Sequence, residues 1–296
     1  MRAKITVSLL AACALAGCGT ATSSQPPKPK ALTVADVSAP DPGGEVGSAS
    51  SEFSSAADLA VWSKLSDTEG DQNRLAKLDV DATAKDALYL EPTTSTWFDG
   101  FRGPFVYQEL AGDIVLHTRV KVEGRKSGPP RRKFSLGGAM LRVPQSNDRP
   151  NWLSVTTGTG DNAERVEMKE TANGSSKPKE VPVTGRWMEL ILARTGTMVS
   201  ALYKEEGGAW KVGQRWLRPD LPKVLEWGVT GYTDWDSYGA LKKDAAKANA
   251  AKTIKGKPDL RLTVDYVRFL RPATPAGDLM KVPDAVLVKL LTPARA

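Results

Sequence analysis

All eight tryptophans of this 296-residue chain fall between Trp62 and Trp235, and they are the residues best suited to contact chemistry. Trp97, Trp152 and Trp235 have polar, loop-like neighbours in Thr96, Asn151, Asp234 and Asp236, whereas Trp187 and Trp227 lie in alternating segments and read as packing groups. An exposed indole offers a flat apolar face to the C–H side of a sugar ring, and flanking carboxylates accept hydrogen bonds from its hydroxyls. The run Tyr232-Thr233-Asp234-Trp235-Asp236 combines both features. Arg142 and Arg119 either join a polar site or form cross-strand ion pairs. The expected ligand-binding set is therefore Trp97, Arg142, Trp152, Tyr232, Asp234, Trp235 and Asp236. For each ring the competing expectation is that it plugs the rim of the fold.

Catalytic patterns are weaker. Glycoside hydrolysis needs two carboxyl groups about 5–5.5 Å or 6.5–9.5 Å apart. Glu164, Glu167 and Glu170 are spaced by three, which on a strand splits them between faces, while Asp234 and Asp236 would share one. His117 is the sole histidine. A Ser-His-Asp arrangement around it is formally open, against an imidazole that is simply half-buried and hydrogen-bonded. Asp148 with Asn151, or Asp161 with Asn162, offers oxygens to calcium, but neither set fills a six- to eight-ligand shell, and turn formation accounts for both. No catalytic residue, cofactor or metal is assigned.

The net charge of +7 is concentrated in two places. Lys242, Lys243, Lys247, Lys252, Lys255 and Lys257 face Asp244 alone, and Arg125, Lys126, Arg131, Arg132 and Lys133 crowd one loop. Such clusters are solvated loop tips or contacts to an anionic surface. No nucleic-acid motif accompanies them, so nucleic acid is not an expected partner.

The N-terminus carries Arg2 and Lys4, then the apolar run from Ile5 to Ala16. A run of about a dozen residues is shorter than the ~20 that span a bilayer, so it reads as a secretion signal. It closes on Leu15-Ala16-Gly17-Cys18, which resembles the lipobox of bacterial lipoproteins. That resemblance implies cleavage before Cys18 and diacylglyceryl attachment to its sulfur. Cys13 would leave with the signal, so no thiol would remain for disulfide, metal or catalytic work. One acyl chain binds a membrane marginally and several bind it stably. The expected location is extracytoplasmic and lipid-anchored, at the outer membrane or periplasmic face where two membranes exist; an ordinary signal peptide is the alternative. Gly19 to Ser51, rich in Ser, Thr, Pro and Gly, reads as a flexible tether.

The stretch from Gly112 to Val155 is the most regular part of the chain. Ile114, Leu116, Val120 and Val122 alternate with Val115, His117, Arg119 and Lys121, the two-residue period of a strand with one buried face. Leu75–Pro92 predicts a hairpin turning near Lys85-Asp86. Val181–Tyr203 predicts another, turning at Thr195-Gly196-Thr197. Trp210–Val212 with Arg215–Trp216 reads as a short pair, and Trp227–Thr233 and Leu260–Leu270 as strands. Phe53, Leu59 and Trp62 suggest an irregular entry that plugs one end of the core. Ala240–Lys257 favours helix locally but has no apolar stripe, so it is expected to be an exposed helical or disordered insertion. Asp284–Leu291 fits either a helix or an edge strand.

About ten to twelve short strands with regular turns are the profile of an all-β antiparallel jelly-roll sandwich. The order of signals resembles the concanavalin A-like, laminin-G-like lectin and glucanase superfamily over about Phe53 to Pro272. The carrying motifs are Ala139-Met140-Leu141-Arg142 followed by a polar loop to Asn151-Trp152, Gly185-Arg186-Trp187 with Arg194, and Gly207-Gly208-Ala209-Trp210. The glucanases of that superfamily carry Glu-x-Asp-x-x-Glu, which is missing here. The resemblance implies a concave face where relatives bind sugars. The expected layout is a signal over 1–17, a tether over 18–51, a sandwich over 52–272 with the 240–258 insertion, and a tail over 273–296. The expected function is non-catalytic binding of carbohydrate or a cell-envelope polymer. A structural or protein-interaction scaffold is the alternative, and a glycoside hydrolase or polysaccharide lyase the second. Oligomeric state is not fixed by the sequence.

Overall fold

The computed structural model describes residues 32–40, 46–273 and 278–293. The signal segment and Cys18 lie outside these residues. Fourteen strands form within them: β1 (Ser63–Lys64), β2 (Leu75–Val80), β3 (Leu88–Pro92), β4 (Phe105–Ala111), β5 (Val115–Glu123), β6 (Ser135–Arg142), β7 (Trp152–Thr159), β8 (Glu164–Ala172), β9 (Ser175–Pro182), β10 (Trp187–Thr195), β11 (Met198–Glu205), β12 (Lys211–Leu217), β13 (Val224–Tyr232) and β14 (Arg261–Leu270). Three short helices accompany them, α1 (Leu65–Thr68), α2 (Ala245–Ala250) and α3 (Asp284–Leu291).

The strands build two seven-stranded antiparallel sheets, in the orders β1-β4-β13-β6-β7-β8-β9 and β12-β11-β10-β5-β14-β3-β2. Stacked face to face they make the jelly-roll β-sandwich that the two-residue patterning predicts. On β5 the alternation decides the sides. Ile114, Leu116, Val120 and Val122 enter the core between the sheets, while Val115 belongs to a separate cluster on the outer face. Leu88, Leu90, Leu153, Val155, Leu190, Leu192, Trp227, Leu262 and Val264 complete that core from strands of both sheets. Burying such side chains stabilises the fold by roughly 1.5–3 kcal/mol each. Trp62 stacks with Phe53 and Phe269 at one edge of this core, as the irregular entry segment predicts.

Two expectations are corrected and two are made specific. The body begins before residue 52: Val37 and Val46 are buried, and Ser51 bridges to Val267 of β14. The period-two rule cannot see this, because isolated apolar residues in a Pro/Ser-rich stretch show no pattern. Lys211 to Leu217 is one strand, not a short pair, since β11 pairs with its whole length across a bulge at Ala201/Leu202. The tail over 278–293 contains α3, whose Val286, Leu287, Leu290 and Leu291 bury against Val115, Ile191, Leu202 and Leu270. The insertion is helical over α2 and largely exposed, yet it is anchored through the buried Ala248 and Ile254. Ala248 and Ile254 pack with Phe101 and Tyr238, and Arg74 donates to the Ala248 and Ala251 carbonyls. Alanine methyls and helix-end carbonyls anchor it where a longer apolar stripe would otherwise be needed.

Candidate functional site

The outer face of the first sheet holds the site. On β8, Val166 and Met168 point into the core, so Glu167, Lys169 and Thr171 point outwards. The register aligns three rows on that face. Glu180, Glu167, Thr156 and Gly138 form one, Pro178, Lys169, Ser154 and Met140 the next, and Ser176, Thr171, Trp152, Arg142 and Glu226 the third.

Aromatic packing fills much of this face. Trp97, from the loop after β3, meets Trp152 edge-on at 5.6 Å and Phe105 at 6.5 Å, and Phe105 stacks on Tyr107. Trp97 and Trp152 are each only 1% exposed, so neither presents the open indole face expected for it. The loop spanning Thr94 to Pro104 lies over them, which a reading of polar neighbours in sequence cannot foresee.

Beside this aromatic layer a cavity of about 410 Å³ stays open, lined by Thr96, Phe98, Phe134, Glu167, Lys169, Pro178, Glu180, Tyr232 and Trp235. Its floor is charged and buried. Lys169 Nζ lies 2.6 Å from Glu167 Oε1 and 3.3 Å from the Tyr232 hydroxyl, which itself donates to Glu167 Oε1 at 2.7 Å. Burial first, then the neighbouring Glu167 charge, pushes the Tyr232 phenol far above its ordinary range, so it stays a donor. Lys169 also sits 5.2 Å from the Tyr232 ring and 5.7 Å from that of Trp152. Glu180, the cross-strand partner of Glu167, pairs with Arg165. Apolar rings on the walls over fixed donors and acceptors on the floor suit a polar ligand with C–H faces, and the volume falls in the ordinary range for small-molecule sites.

The loop after β13 closes one wall. Asp234 takes the left-handed conformation (φ 69°, ψ 46°) and is fully buried. Its carboxylate accepts from Thr94 Oγ1 at 2.9 Å, Arg132 Nε at 2.6 Å and the Lys257 amide at 2.5 Å. Burial opposes its ionisation, but donation from Ser237, Lys257, Arg132 and Thr94 outweighs this and holds its carboxyl below the usual range. Asp234 thus ties three loops together and is turned away from ligand. A Cβ at Gly256 would overlap Thr94 Oγ1 and Asp234 Oδ2, so the close approach requires glycine there. Trp235 is half-buried, packed on Phe101 at 5.3 Å and Tyr238 at 4.9 Å, and it contributes to the cavity wall. Asp236 is exposed, with Lys242 4.0 Å away.

Arg142 is committed elsewhere on the same face. Its guanidinium donates to both oxygens of Glu69, to Glu226 at 2.6 Å and to Asn147 at 2.8 Å, with the arginine 1% exposed. Burial pushes the Glu226 carboxyl up; at Glu69 burial is outweighed by the bonds from Arg142, and its carboxyl is held down.

Of the predicted residues, then, the structure brings Tyr232 and Trp235 to the cavity. It places Trp97 and Trp152 beneath its neighbouring cover, and Arg142 and Asp234 in internal ion networks. Glu167, Lys169, Glu180, Phe98 and Phe134 were not anticipated. One signal for them exists: Asn173-Gly174, both with positive φ, is the two-residue hairpin turn that joins β8 to β9.

A second groove, of about 850 Å³, lies on the outer face of the other sheet beside α3. There His117 Nε2 is 3.0 Å from both Glu189 Oε2 and the Tyr266 hydroxyl, and Lys204 is 2.5 Å from Glu189. His117 is buried, and burial lowers its pKa despite Glu189. Its hydrogen-bonding partners are a carboxylate and a phenol, with no serine in the set. Asp161 pairs with Lys133 and Asn162, and Asn151 with Arg218 and Asp220. Among the described residues no group of three or more His, Cys, Asp or Glu is arranged to hold a metal.

No protein-family model matches the chain, and no curated protein sequence matches it. Solved structures do resemble it. A functionally unknown protein from Saccharomyces cerevisiae is 15% identical with a TM-score of 0.50, covering 74% of this chain and 99% of that one. The GH43 protein BlXynB from Bacillus licheniformis is 10% identical with a TM-score of 0.53, covering 75% of this chain and 39% of its own. A bifunctional GH43-CE protein from Bacteroides eggerthii is 14% identical with a TM-score of 0.50, covering 77% and 26%. This chain therefore spans well under half the length of these two GH43 proteins. At such identities the likeness shows the sandwich fold and nothing finer.

Proposed function

We propose that this chain is a non-catalytic binding module for carbohydrate or a cell-envelope polymer, held outside the cytoplasm by lipid on Cys18. The supporting observation is the cavity in which Phe98, Phe134 and Trp235 wall a buried Glu167–Lys169–Tyr232 floor. Sugar rings need both parts, an apolar surface for their C–H faces and fixed partners for their hydroxyls. Fold likeness does not carry this reading, because one sandwich hosts many functions.

Glycan-array binding by the purified soluble body tests it. Trp235→Ala and Tyr232→Phe should each weaken binding tenfold or more while circular dichroism stays unchanged. Absence of binding to any glycan, together with a specific protein partner, would favour the scaffold reading. Labelled acyl chains recovered on Cys18 by mass spectrometry would support the anchor, and an unmodified mature Cys18 would remove it.

Hydrolysis remains a second reading on one observation. Glu167 and Glu180 are direct cross-strand partners lining the same cavity. Both are engaged by cations, Lys169 and Arg165, and the reading requires polysaccharide turnover that Glu167→Gln and Glu180→Gln each abolish.

A further inference from the structure

The two basic loops, more than a hundred residues apart in sequence, meet at one end of the sandwich. The Arg125 and Arg131 amides both donate to the Asp259 carboxylate at 2.7 Å, and the Lys257 amide donates to Asp234, which also holds Arg132. Between the loops lies a cleft of about 500 Å³, bordered by Arg125, Lys126, Arg131, Arg132 and Lys257 against the single carboxylate of Asp259. That carboxylate is already occupied by two backbone amides. Arg125 pairs with Glu91, and Arg132 with Asp234. Lys126, Arg131 and Lys257 are exposed, and among the described residues none has an acidic partner; nearby Lys255 is the same. Like charges held this close repel each other unless an anion sits among them.

The cleft adjoins the cavity. Arg132 borders the first and Phe134 the second, two residues apart. The Trp235 amide donates to the Lys133 carbonyl, which joins the two walls. Arg131, an unpaired cation, stands three residues before Phe134 across a bend and turn, no more than about 11 Å away between Cα atoms, so a polymer lying across Phe134 and Trp235 passes beside it.

We infer that the polymer bound in the cavity is anionic, a glycan bearing carboxylate or phosphate groups, with Lys126, Arg131 and Lys257 reading its charge. This rests on the binding function proposed above and names its ligand class. A membrane surface is the less favoured partner on positional grounds. The segment 32–40 packs with α3 near Val115 and Leu270, at the opposite end of β5 and β14 from Glu123 and Arg261, where the cleft lies. Nine residues of strand separate the two ends by roughly 30 Å.

The test uses isothermal titration with polygalacturonate, poly(glycerol phosphate), neutral dextran and xylan, and vesicles containing phosphatidylglycerol, for wild type, Trp235→Ala and the triple variant Lys126→Ala/Arg131→Ala/Lys257→Ala. These cations are exposed, so the triple variant should melt with the wild type. Wild type should prefer at least one anionic polymer over the neutral ones, with affinity falling as salt rises from 50 to 500 mM. The triple variant should lose roughly tenfold for that polymer and nothing for a neutral one. Which polyanion responds identifies uronate or phosphate as the charge. Equal, salt-independent binding of neutral and charged polymers, unchanged in the triple variant but lost in Trp235→Ala, would overturn this inference and leave the binding function standing. Anionic binding lost in the triple variant but untouched by Trp235→Ala would separate cleft from cavity and overturn the link between them. Binding only to vesicles containing phosphatidylglycerol, lost in the triple variant, would make the cleft a membrane contact and also overturn it.

Discussion

Each sheet buries charge on its outer face, but the two faces are covered in different ways. The second sheet is covered in part by α3, which lays Val286, Leu287, Leu290 and Leu291 on Val115, Ile191, Leu202 and Leu270 and leaves the groove over His117 and Glu189 open beside it. The first sheet is covered by loops, from Thr94 to Pro104 and from Thr233 to Lys257, tied through Asp234. A helix presents a continuous stripe of side chains and closes what it touches. Loops hung from one residue leave room between them, and here they leave the cavity over Glu167, Lys169 and Tyr232. On the helix side the opening lies beside the covering element, whereas on the loop side it lies between covering elements tied together through Asp234.

The largest expected effect comes from the loop side. Arg142→Ala would strand Glu69 and Glu226 as buried carboxylates without their cation, which should destabilise by about 3–5 kcal/mol. Urea unfolding followed by tryptophan fluorescence reads this directly. A change below about 1 kcal/mol would show that water enters the network and that the first face is less sealed than it looks.

Leu287→Ala sharpens the contrast. Leu287, on the buried face of α3, is fully buried, and its truncation should cost about 2–4 kcal/mol. Glycan affinity, measured well below the melting temperature, should stay within twofold of wild type. Loss of affinity in step with stability would mean that the two faces do not act separately.

The smallest effect concerns pH. At Glu189 burial is outweighed by bonds from His117 and Lys204, which bring its carboxyl down to about 2. Its folded pKa lies below the unfolded one, so its contribution is present above about pH 4.5 and is lost as pH falls towards 2. Glu226 has the opposite sign: its pKa is raised on folding, so stability falls as pH rises past 4.5. Glu189→Gln should flatten the acid limb of a stability–pH curve, and Glu226→Gln the limb above pH 4.5. Swapped effects would invert the assignment of these carboxylates.

What the sequence disclosed follows the same division. Strand β5 and the hairpins β2–β3 and β10–β11 were legible because apolar residues alternate along them or flank a turn, even where both faces are buried, as at Val115, Ile191 and Leu202. Strands β8 and β9 were not: their outward positions carry Glu, Lys, Thr and Ser, which read as solvent, yet Glu167, Lys169 and Thr171 are buried by a distant loop. The rings of Trp97 and Trp152 failed for the same reason. Polarity of neighbours in sequence reports local chemistry, whereas burial there is set by loop contacts spanning up to about 140 residues, as between Thr94 and Asp234. Tyr232 and Trp235 were found because one short run supplies both ring and hydroxyl to the opening.

The strand bordering the cavity, β9, is the last of its sheet and reads Ser-Ser-Lys-Pro-Lys-Glu-Val-Pro. Proline offers no amide to an incoming strand, and lysines on either side of Pro178 keep a second copy at a distance. That margin is therefore disfavoured as an edge for strand pairing with a second copy of this chain. On the proposed binding function, a long filament that overhangs this margin is gripped in mid-length, with no need of a free end.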